Sequence, residues 1–85
     1  MLLFMAKLLY VGNLSFETTS DDLKELFSRA GLVQSVKLIT DRTTGQSKGF
    51  GFIEMSTDEE ARSAIAQFNG LELHRKKLQV NEARQ

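Results

Sequence analysis

Two segments with the same helical pattern, one in each half of the chain, constrain its fold more than any other feature. Thr19 is followed three residues later by Asp22, and Thr57 is followed at the same distance by Glu60. This is the spacing of a capping box, in which side chains satisfy the free N–H groups at a helix start. Each cap precedes apolar residues spaced at i, i+3, i+4 and i+7, which share one face of a helix. These residues are Leu23, Leu26, Phe27 and Ala30 in the first segment and Ala61, Ala64, Ile65 and Phe68 in the second.

The ends of the helices and the segments around them predict the order of elements. We expect Gly31 to end the first helix as a left-handed C-cap, and Asn69-Gly70 to stop the second. Segments typical of strands lie at residues 7–12, 33–40, 49–55 and 78–81. The resulting β-α-β-β-α-β order favours an α+β, ferredoxin-like sandwich, in which two helices back a four-stranded antiparallel sheet. Because both helices cover one side of this sheet, its other side, the open face, is left to solvent.

Composition excludes several functional classes for this 85-residue chain. It has no Cys and one His, so it can form neither a disulfide scaffold nor a thiolate or histidine metal cluster. The longest apolar run, residues 2–6, is too short to span a bilayer. Basic and acidic residues number 11 each, but the helical segments carry a net negative charge, which leaves the excess of positive charge on strands and loops. We therefore expect a binding protein without catalytic residues, metal or cofactor.

Aromatic residues on the open face indicate what is bound. In the third strand, Lys48, Phe50, Phe52 and Glu54 alternate with Gly49, Gly51, Ile53 and Met55. Because Lys48 and Glu54 are charged, the side of the strand that they share with Phe50 and Phe52 is not the core side. Phe50 and Phe52 are therefore expected on the open face. In the first strand, Tyr10 points to the side opposite that of the apolar Leu9 and Val11. It is therefore expected on the open face, together with Phe50 and Phe52. Three exposed rings on two strands form a platform on which flat ligands can stack.

Two motifs on these strands carry a resemblance to a known family. The octamer is Lys48-Gly49-Phe50-Gly51-Phe52-Ile53-Glu54-Met55, and the hexamer is Leu9-Tyr10-Val11-Gly12-Asn13-Leu14. Over about residues 7–83, the chain resembles the RNA recognition motif family, most closely the small single-domain RNA-binding proteins of bacteria, cyanobacteria and organelles. The resemblance implies that Tyr10, Phe50 and Phe52 stack on bases of single-stranded RNA and that Lys48 contacts phosphate.

The chain departs from the family pattern at two positions. Met55 stands where Phe or Tyr is more common, and alternation directs it to the core, where it alters packing. His74 stands where a turn glycine is common before the last strand. We interpret His74 as a turn residue without a catalytic partner.

Further binding residues are predicted around the three rings. Lys37 shares the open face, and Arg42 lies in the loop before the octamer, although either cation is equally typical of a solvated surface. Gln79, Asn81 and Ala83 alternate onto the open face of the last strand and are candidates to contact base edges. Residues 75–77 form a basic run that fits either a solvated turn or an extension of this site. Among the remaining aromatics, Phe27 and Phe68 are predicted core residues and Phe16 is expected to pack in its loop.

The sequence favours a single-stranded RNA-binding protein of modest affinity and low specificity. The alternative is a protein-interaction module or homodimer that uses the open face. An enzyme of the same architecture would need an Arg in a phosphate-cradling loop, and residues 13–18 contain none. We expect one domain at residues 7–85, monomeric and cytoplasmic, with single-stranded DNA as a second ligand in vitro and no membrane or small-molecule partner. Residues 1–6 are interpreted as an N-terminal extension, with Met5 as the natural start and residues 1–4 upstream of it. The alternative is that Leu2, Leu3 and Phe4 pack across a groove or against a second copy.

Overall fold

The computed structural model describes residues 7–83 and contains the predicted elements with one addition. The elements are β1 (Leu8–Gly12), α1 (Ser20–Phe27), β2 (Val33–Thr40), β3 (Ser47–Met55), α2 (Asp58–Phe68), β4 (Glu72–Leu73), β5 (Lys76–Lys77) and β6 (Gln79–Glu82). The addition is the short hairpin β4–β5, between α2 and the last strand. The predicted extension at residues 1–6, with the alternative packing of Leu2, Leu3 and Phe4, lies outside the described residues.

The four long strands form one antiparallel sheet in the order β2-β3-β1-β6. The central pair of the sheet therefore consists of β3, which carries the octamer, and β1, which carries the hexamer. Tyr10 lies opposite Phe52 across this pair. The predicted α+β sandwich is confirmed, with small differences in strand bounds: β3 begins at Ser47, and β6 begins at Gln79. Neither helix of residues 7–83 is long and apolar enough to cross a membrane.

The hydrophobic core lies between the sheet and the two helices. Alternate residues of the central strands are fully buried, and both helices contribute their apolar stripes as predicted. The rings of Phe27 and Phe68 meet across the two helices with centroids 4.9 Å apart, inclined at 58°. Such a pair stabilises the helix contact beyond its buried area. The buried apolar residues are Leu9, Val11, Leu14, Leu23, Leu26, Phe27, Ile53, Met55, Ala61, Ala64, Phe68, Leu78 and Val80.

The N-terminal caps of the helices are present, but they differ in detail. At α1 the capping box is complete: Asp22 N–H donates to Thr19 Oγ1 at 3.1 Å, and Thr19 N–H donates to Asp22 Oδ2 at 3.0 Å. At α2 only the first half forms, because the Glu60 carboxylate accepts a hydrogen bond from the Ser56 hydroxyl instead. That hydroxyl is the main group that lowers the pKa of Glu60. The two sequence patterns are alike, but a neighbouring donor decides how the second carboxylate is used.

The predicted glycine C-cap of α1 is wrong. The helix ends at Phe27, and Ser28 follows as its C-cap in the right-handed helical region. The Ser28 hydroxyl donates to the carbonyl of Lys24 at 2.6 Å, and Ala30 N–H donates to the carbonyl of Phe27 at 3.0 Å. These bonds satisfy terminal carbonyls before the chain reaches Gly31, so no left-handed residue is needed. Gly31 instead lies against the Glu60 side chain, which a Cβ at that position would overlap.

The β4–β5 hairpin turns without glycine. Its central residues, His74 and Arg75, have φ of 53° and 71°, and positive φ at both positions is what a type I′ hairpin turn requires. The His74 ring holds the turn against α1, because its Nε2 lies 3.2 Å from Asp22 Oδ2. The turn is therefore tight despite the absence of the usual glycine.

Asp22 is expected to make the stability of the fold dependent on pH. The Thr19 N–H, and to a smaller extent His74, lowers the pKa of Asp22 below its usual 3.8. A carboxylate with a lowered pKa stabilises the folded state above its unfolded-state pKa, and this stabilisation is lost as pH falls through the folded-state pKa. At pH 7, Asp22→Asn should lower the free energy of unfolding by about 1 kcal/mol or less, because the Asp22 side chain is 35% exposed and solvent screens its interactions.

Urea unfolding at pH 7 and at pH 2.5 measures this difference. The gap between the parent and Asp22→Asn should be clear at pH 7 and shrink at pH 2.5. Asp21→Asn is the matched control, since Asp21 lies in the same helical turn. A gap of equal size at both pH values would contradict the assignment of the stabilisation to the ionised Asp22.

Candidate nucleic-acid interface

The pairing of the strands brings the predicted binding residues together on the open face. Across the middle of the sheet, Lys37 lies opposite Phe52, Phe52 opposite Tyr10, and Tyr10 opposite Asn81. This row crosses all four strands and joins residues that are up to 71 positions apart in sequence. A cation, two rings and an amide thus form one continuous strip.

The rows on either side differ in chemistry. Toward the end of β1, which we call the upper end of the sheet, Gln79 lies opposite Gly12, and Phe50 and Lys48 occupy the open face of β3. Toward the start of β1, the lower end, Glu54 lies opposite Leu8, and Ala83 N–H donates to the carbonyl of Leu8. The upper end therefore presents a cation, and the lower end presents a carboxylate.

The rings of Tyr10, Phe50 and Phe52 form a single cluster, the aromatic platform. Their centroids are 6.0 Å (Tyr10–Phe50), 6.0 Å (Tyr10–Phe52) and 6.2 Å (Phe50–Phe52) apart. Tyr10 and Phe50 are inclined at only 31°, whereas Phe52 stands at 66° to Tyr10 and 88° to Phe50. The first two rings thus offer similarly directed faces, and the third offers its edge to both. Sequence alternation placed the rings together but could not distinguish these orientations.

Gly12 determines where the Tyr10 ring lies, a role that sequence analysis missed. A Cβ built on Gly12 would lie 2.7 Å from both Cε2 and Cζ of Tyr10, and it would also overlap the hydroxyl. The ring therefore covers the backbone of its own strand two residues further along. Only a residue without a side chain leaves this space free. Gly12 is part of the hexamer, but its role can be recognised only from the position of the Tyr10 ring in the structure.

The remaining predicted site residues lie around the platform. Lys48 and Lys37 are exposed on the open face, and Gln79 and Asn81 are exposed on β6, with Ala83 half-buried directly after it. Arg42 is exposed in the loop between β2 and β3 and so does not belong to a strand of the sheet. That loop contains a hydrogen-bonded turn, because Asp41 Oδ1 accepts hydrogen bonds from the N–H groups of Thr43 and Thr44. The sheet thus joins all of the predicted set except Arg42.

Phe16 does not pack in its loop as expected. Its side chain is 66% exposed, and Cε1 lies 4.0 Å from where a Cβ on Gly49 would be. The loop that carries it is held beside β3, because Leu14 N–H donates to the carbonyl of Gly49 at 2.9 Å. Phe16 is therefore an exposed aromatic residue outside the aromatic platform.

Comparison with known proteins identifies the family. The sequence model described as “RNA recognition motif” matches residues 9–79, from the second residue of β1 to the first of β6. The chain belongs to the RNA recognition motif (RRM) family. The resemblance predicted from the octamer and the hexamer is confirmed.

Two relatives contain a sequence similar to this RRM. The 29 kDa ribonucleoprotein A of Nicotiana sylvestris chloroplasts is 52% identical over 73 residues, which cover 86% of this chain and 27% of that protein. RbpA of Nostoc sp. (strain PCC 7120) is 47% identical over 76 residues, which cover 89% of this chain and 74% of RbpA. The chain thus spans about a quarter of the chloroplast relatives and most of the cyanobacterial one.

Solved structures agree with the RRM fold. The crystal structure of RNA-binding protein PG1 superposes with a TM-score of 0.89 and 43% identity, covering 93% of this chain and 95% of that one. The Rna15 RRM, solved with bound RNA (GU), has a TM-score of 0.86 and 30% identity, and covers 95% of this chain and 86% of that one.

Gly12→Ala should displace the Tyr10 ring while the RRM fold is kept. The overlap is with the movable end of a side chain, and Gly12 does not need a positive φ, so the backbone can accept the methyl group. Tyr10 is the one tyrosine and the chain has no tryptophan, so its fluorescence and ring NMR signals report on this site alone. We expect changed Tyr10 ring shifts and weakened NOEs to Phe50 in the variant.

The control is Ser35→Ala, a small change on the open face near the lower end of the sheet. It should leave the Tyr10 signals unchanged. Gly12→Ala spectra in which the Tyr10 ring signals and NOEs match those of the parent would show that Gly12 does not determine the ring position.

Proposed function

We propose that this RRM domain binds single-stranded RNA on its open face. The observation that carries the proposal is the aromatic platform, whose three rings lie within 6.2 Å of one another on the side of the sheet opposite the helices. Rings in such an arrangement stack on unpaired bases, which each have a flat face to offer. The Rna15 RRM, of the same fold, was solved with RNA (GU) bound, which supports this ligand class.

Each part of the site has a proposed role. The similarly directed faces of Tyr10 and Phe50 stack on bases, and Phe52 contacts the edge of a base that lies on one of these faces. Lys48 and Lys37 contact phosphates, and Arg42 reaches a phosphate from its loop. On β6, side chains of Gln79 and Asn81 and the backbone near Ala83 contact base edges. Hydroxyl groups of the sugar are not needed for stacking, so single-stranded DNA is a second ligand in vitro.

The expected affinity is modest. Stacking contributes about 1–3 kcal/mol per ring, and part of this is offset by the ordering of a flexible strand. The dissociation constant is therefore about micromolar. About three phosphate contacts correspond to a slope near −2 in the logarithm of affinity against the logarithm of salt concentration.

The oligomeric state and the location of the protein are part of the proposed function. We infer a monomer of one domain, residues 7–85, that binds without catalysis and without a small-molecule substrate, and that acts in the cytoplasm. The cyanobacterial relative, of which the chain covers 74%, supports the location. The loop at residues 13–18 contains no Arg, which supports binding over phosphate chemistry.

Removing two rings tests the platform. In fluorescence anisotropy with a labelled, random-sequence RNA of about ten nucleotides, Phe50→Ala/Phe52→Ala should weaken binding by at least about thirtyfold, since two lost stacking contacts remove at least about 2 kcal/mol. Added RNA should also quench Tyr10 fluorescence in the parent. Phe16→Ala is the matched control, because it removes an exposed aromatic ring outside the platform.

Circular dichroism must first show that the variants are folded. Equal losses in Phe16→Ala and in the double variant would contradict stacking on the platform. If the parent does not bind RNA up to about 100 μM at low salt, the proposed function is wrong. The open face would then be examined as a protein contact, by analytical ultracentrifugation of the parent against the double variant.

A further inference from the structure

The β4–β5 hairpin displays a run of three positive charges. Arg75, Lys76 and Lys77 are consecutive and all exposed, and they occupy the second half of the hairpin turn and its returning strand. Glu72, directly opposite Lys77, offsets one of these charges. Lys76 lies opposite the uncharged Leu73, and Arg75 occupies the turn. Asp22, whose Oδ2 lies 3.2 Å from Nε2 of His74 in the hairpin turn, offsets a second charge, so the hairpin surface keeps a smaller net positive charge.

Hydrogen bonds hold this positive surface in a defined position beside the sheet. Asn13, the residue after β1, donates from Nδ2 to the carbonyl of Lys77 at 2.7 Å. On the α2 side, Leu78 N–H donates to the carbonyl of Leu71, and Gly70 N–H donates to the carbonyl of Leu78, both at 2.8 Å. The chain then enters β6, where Gln79 lies opposite Gly12. The cations thus stand at the upper end of the sheet, anchored to the strand that carries Tyr10.

The charges of the described residues are unevenly distributed along the strands. At the upper end, Lys48 lies on the open face of β3, and the basic hairpin lies beside the sheet, before β6. The lower end has Glu54 on the open face, while Glu82, opposite the buried Leu9, and Lys7, directly before β1, are also at this end and offset each other. A polyanion that lies across the platform is repelled at the lower end and attracted at the upper end. Its backbone should therefore continue past the upper end toward the hairpin.

We propose that the β4–β5 hairpin is a second phosphate-binding site, which holds RNA nucleotides that flank those stacked on the aromatic platform. This inference rests on the proposed function. Lys77 is four residues from Asn81, the neighbour of Tyr10, and this places it at most about 13 Å from the middle row of the sheet. The two or three bases stacked on the rings lie over the open face itself, whereas the hairpin lies before the start of β6, so nucleotides that flank the stacked ones are those that reach it. The hairpin thus contacts only strands that are longer than the platform.

RNA length separates the two sites in the experiment. The test variant is Lys76→Gln/Lys77→Gln, which removes two charges and leaves the backbone carbonyl that Asn13 contacts. The matched control is Arg29→Gln/Arg62→Gln, which removes two exposed charges from the α1 and α2 side of the molecule. Binding of a 4-nucleotide and a 12-nucleotide single-stranded RNA is measured by Tyr10 fluorescence and anisotropy, over a series of salt concentrations.

The hairpin variant should bind the 12-nucleotide RNA about 25-fold more weakly than the parent in 0.1 M salt, with a salt slope that is less negative by about 1.4. It should bind the 4-nucleotide RNA as the parent does. The control variant should match the parent on both RNAs. Circular dichroism and thermal unfolding establish that both variants are folded before affinities are compared.

Two results would overturn the second site. One is an equal loss in the control variant, which would assign the effect to overall charge. The other is an unchanged affinity and salt slope of the hairpin variant for the 12-nucleotide RNA. Failure of the proposed function is a separate result, because the parent itself would then bind neither RNA and Tyr10 fluorescence would not respond.

Discussion

One-sided burial of the sheet is the constraint on which the rest of the structure depends. Both helices place their apolar stripes against the same side, where the Phe27 and Phe68 rings meet. Strand residues alternate between the two sides, so a core on one side dictates which residues face solvent on the other. A shift of β1 by one residue against β3 would turn the ring of Tyr10 toward the core and expose Leu9, while Phe52 stayed on the open face. The packing of the core is thus what holds the aromatic platform outward.

Exposed aromatic rings cost solvation free energy, and this RRM reduces the cost by clustering them. Each ring of the platform is half-buried by its two neighbours, at centroid separations near 6 Å. The Tyr10 ring also covers the bare backbone of Gly12. Contacts with neighbouring rings and with backbone restrict the positions that each ring can adopt, which lowers the entropic cost of ordering it on binding.

The zero net charge of the chain conceals a segregation that the fold makes useful. The acidic residues of both helix starts lie on the side of the molecule away from the open face, where they favour the helix N-termini. The cations of β3 and of the β4–β5 hairpin gather at the upper end of the sheet. An average over the sequence would argue against a polyanionic ligand, whereas the distribution in space favours one. The short range of screened charge interactions is the physical reason that local distribution matters more than the total.

The sequence by itself determined the helices, the strands and which side of each strand is buried. Capping residues and periodic apolar spacing act over a few neighbouring residues, and these local patterns predicted both helix starts, the alternation in β3 and the exposure of Tyr10, Phe50 and Phe52. The end of α1 was missed because the Ser28 hydroxyl satisfied a carbonyl before Gly31 was reached. A turn was expected at His74, but the β4–β5 hairpin was missed because strands of two residues are too short to show an alternating pattern. The fold stabilises the hairpin through Asp22 and Asn13, which are distant in sequence. Ring orientation, the purpose of Gly12 and the position of the basic hairpin were decided only by the tertiary structure, since each depends on contacts between residues that only the fold brings together.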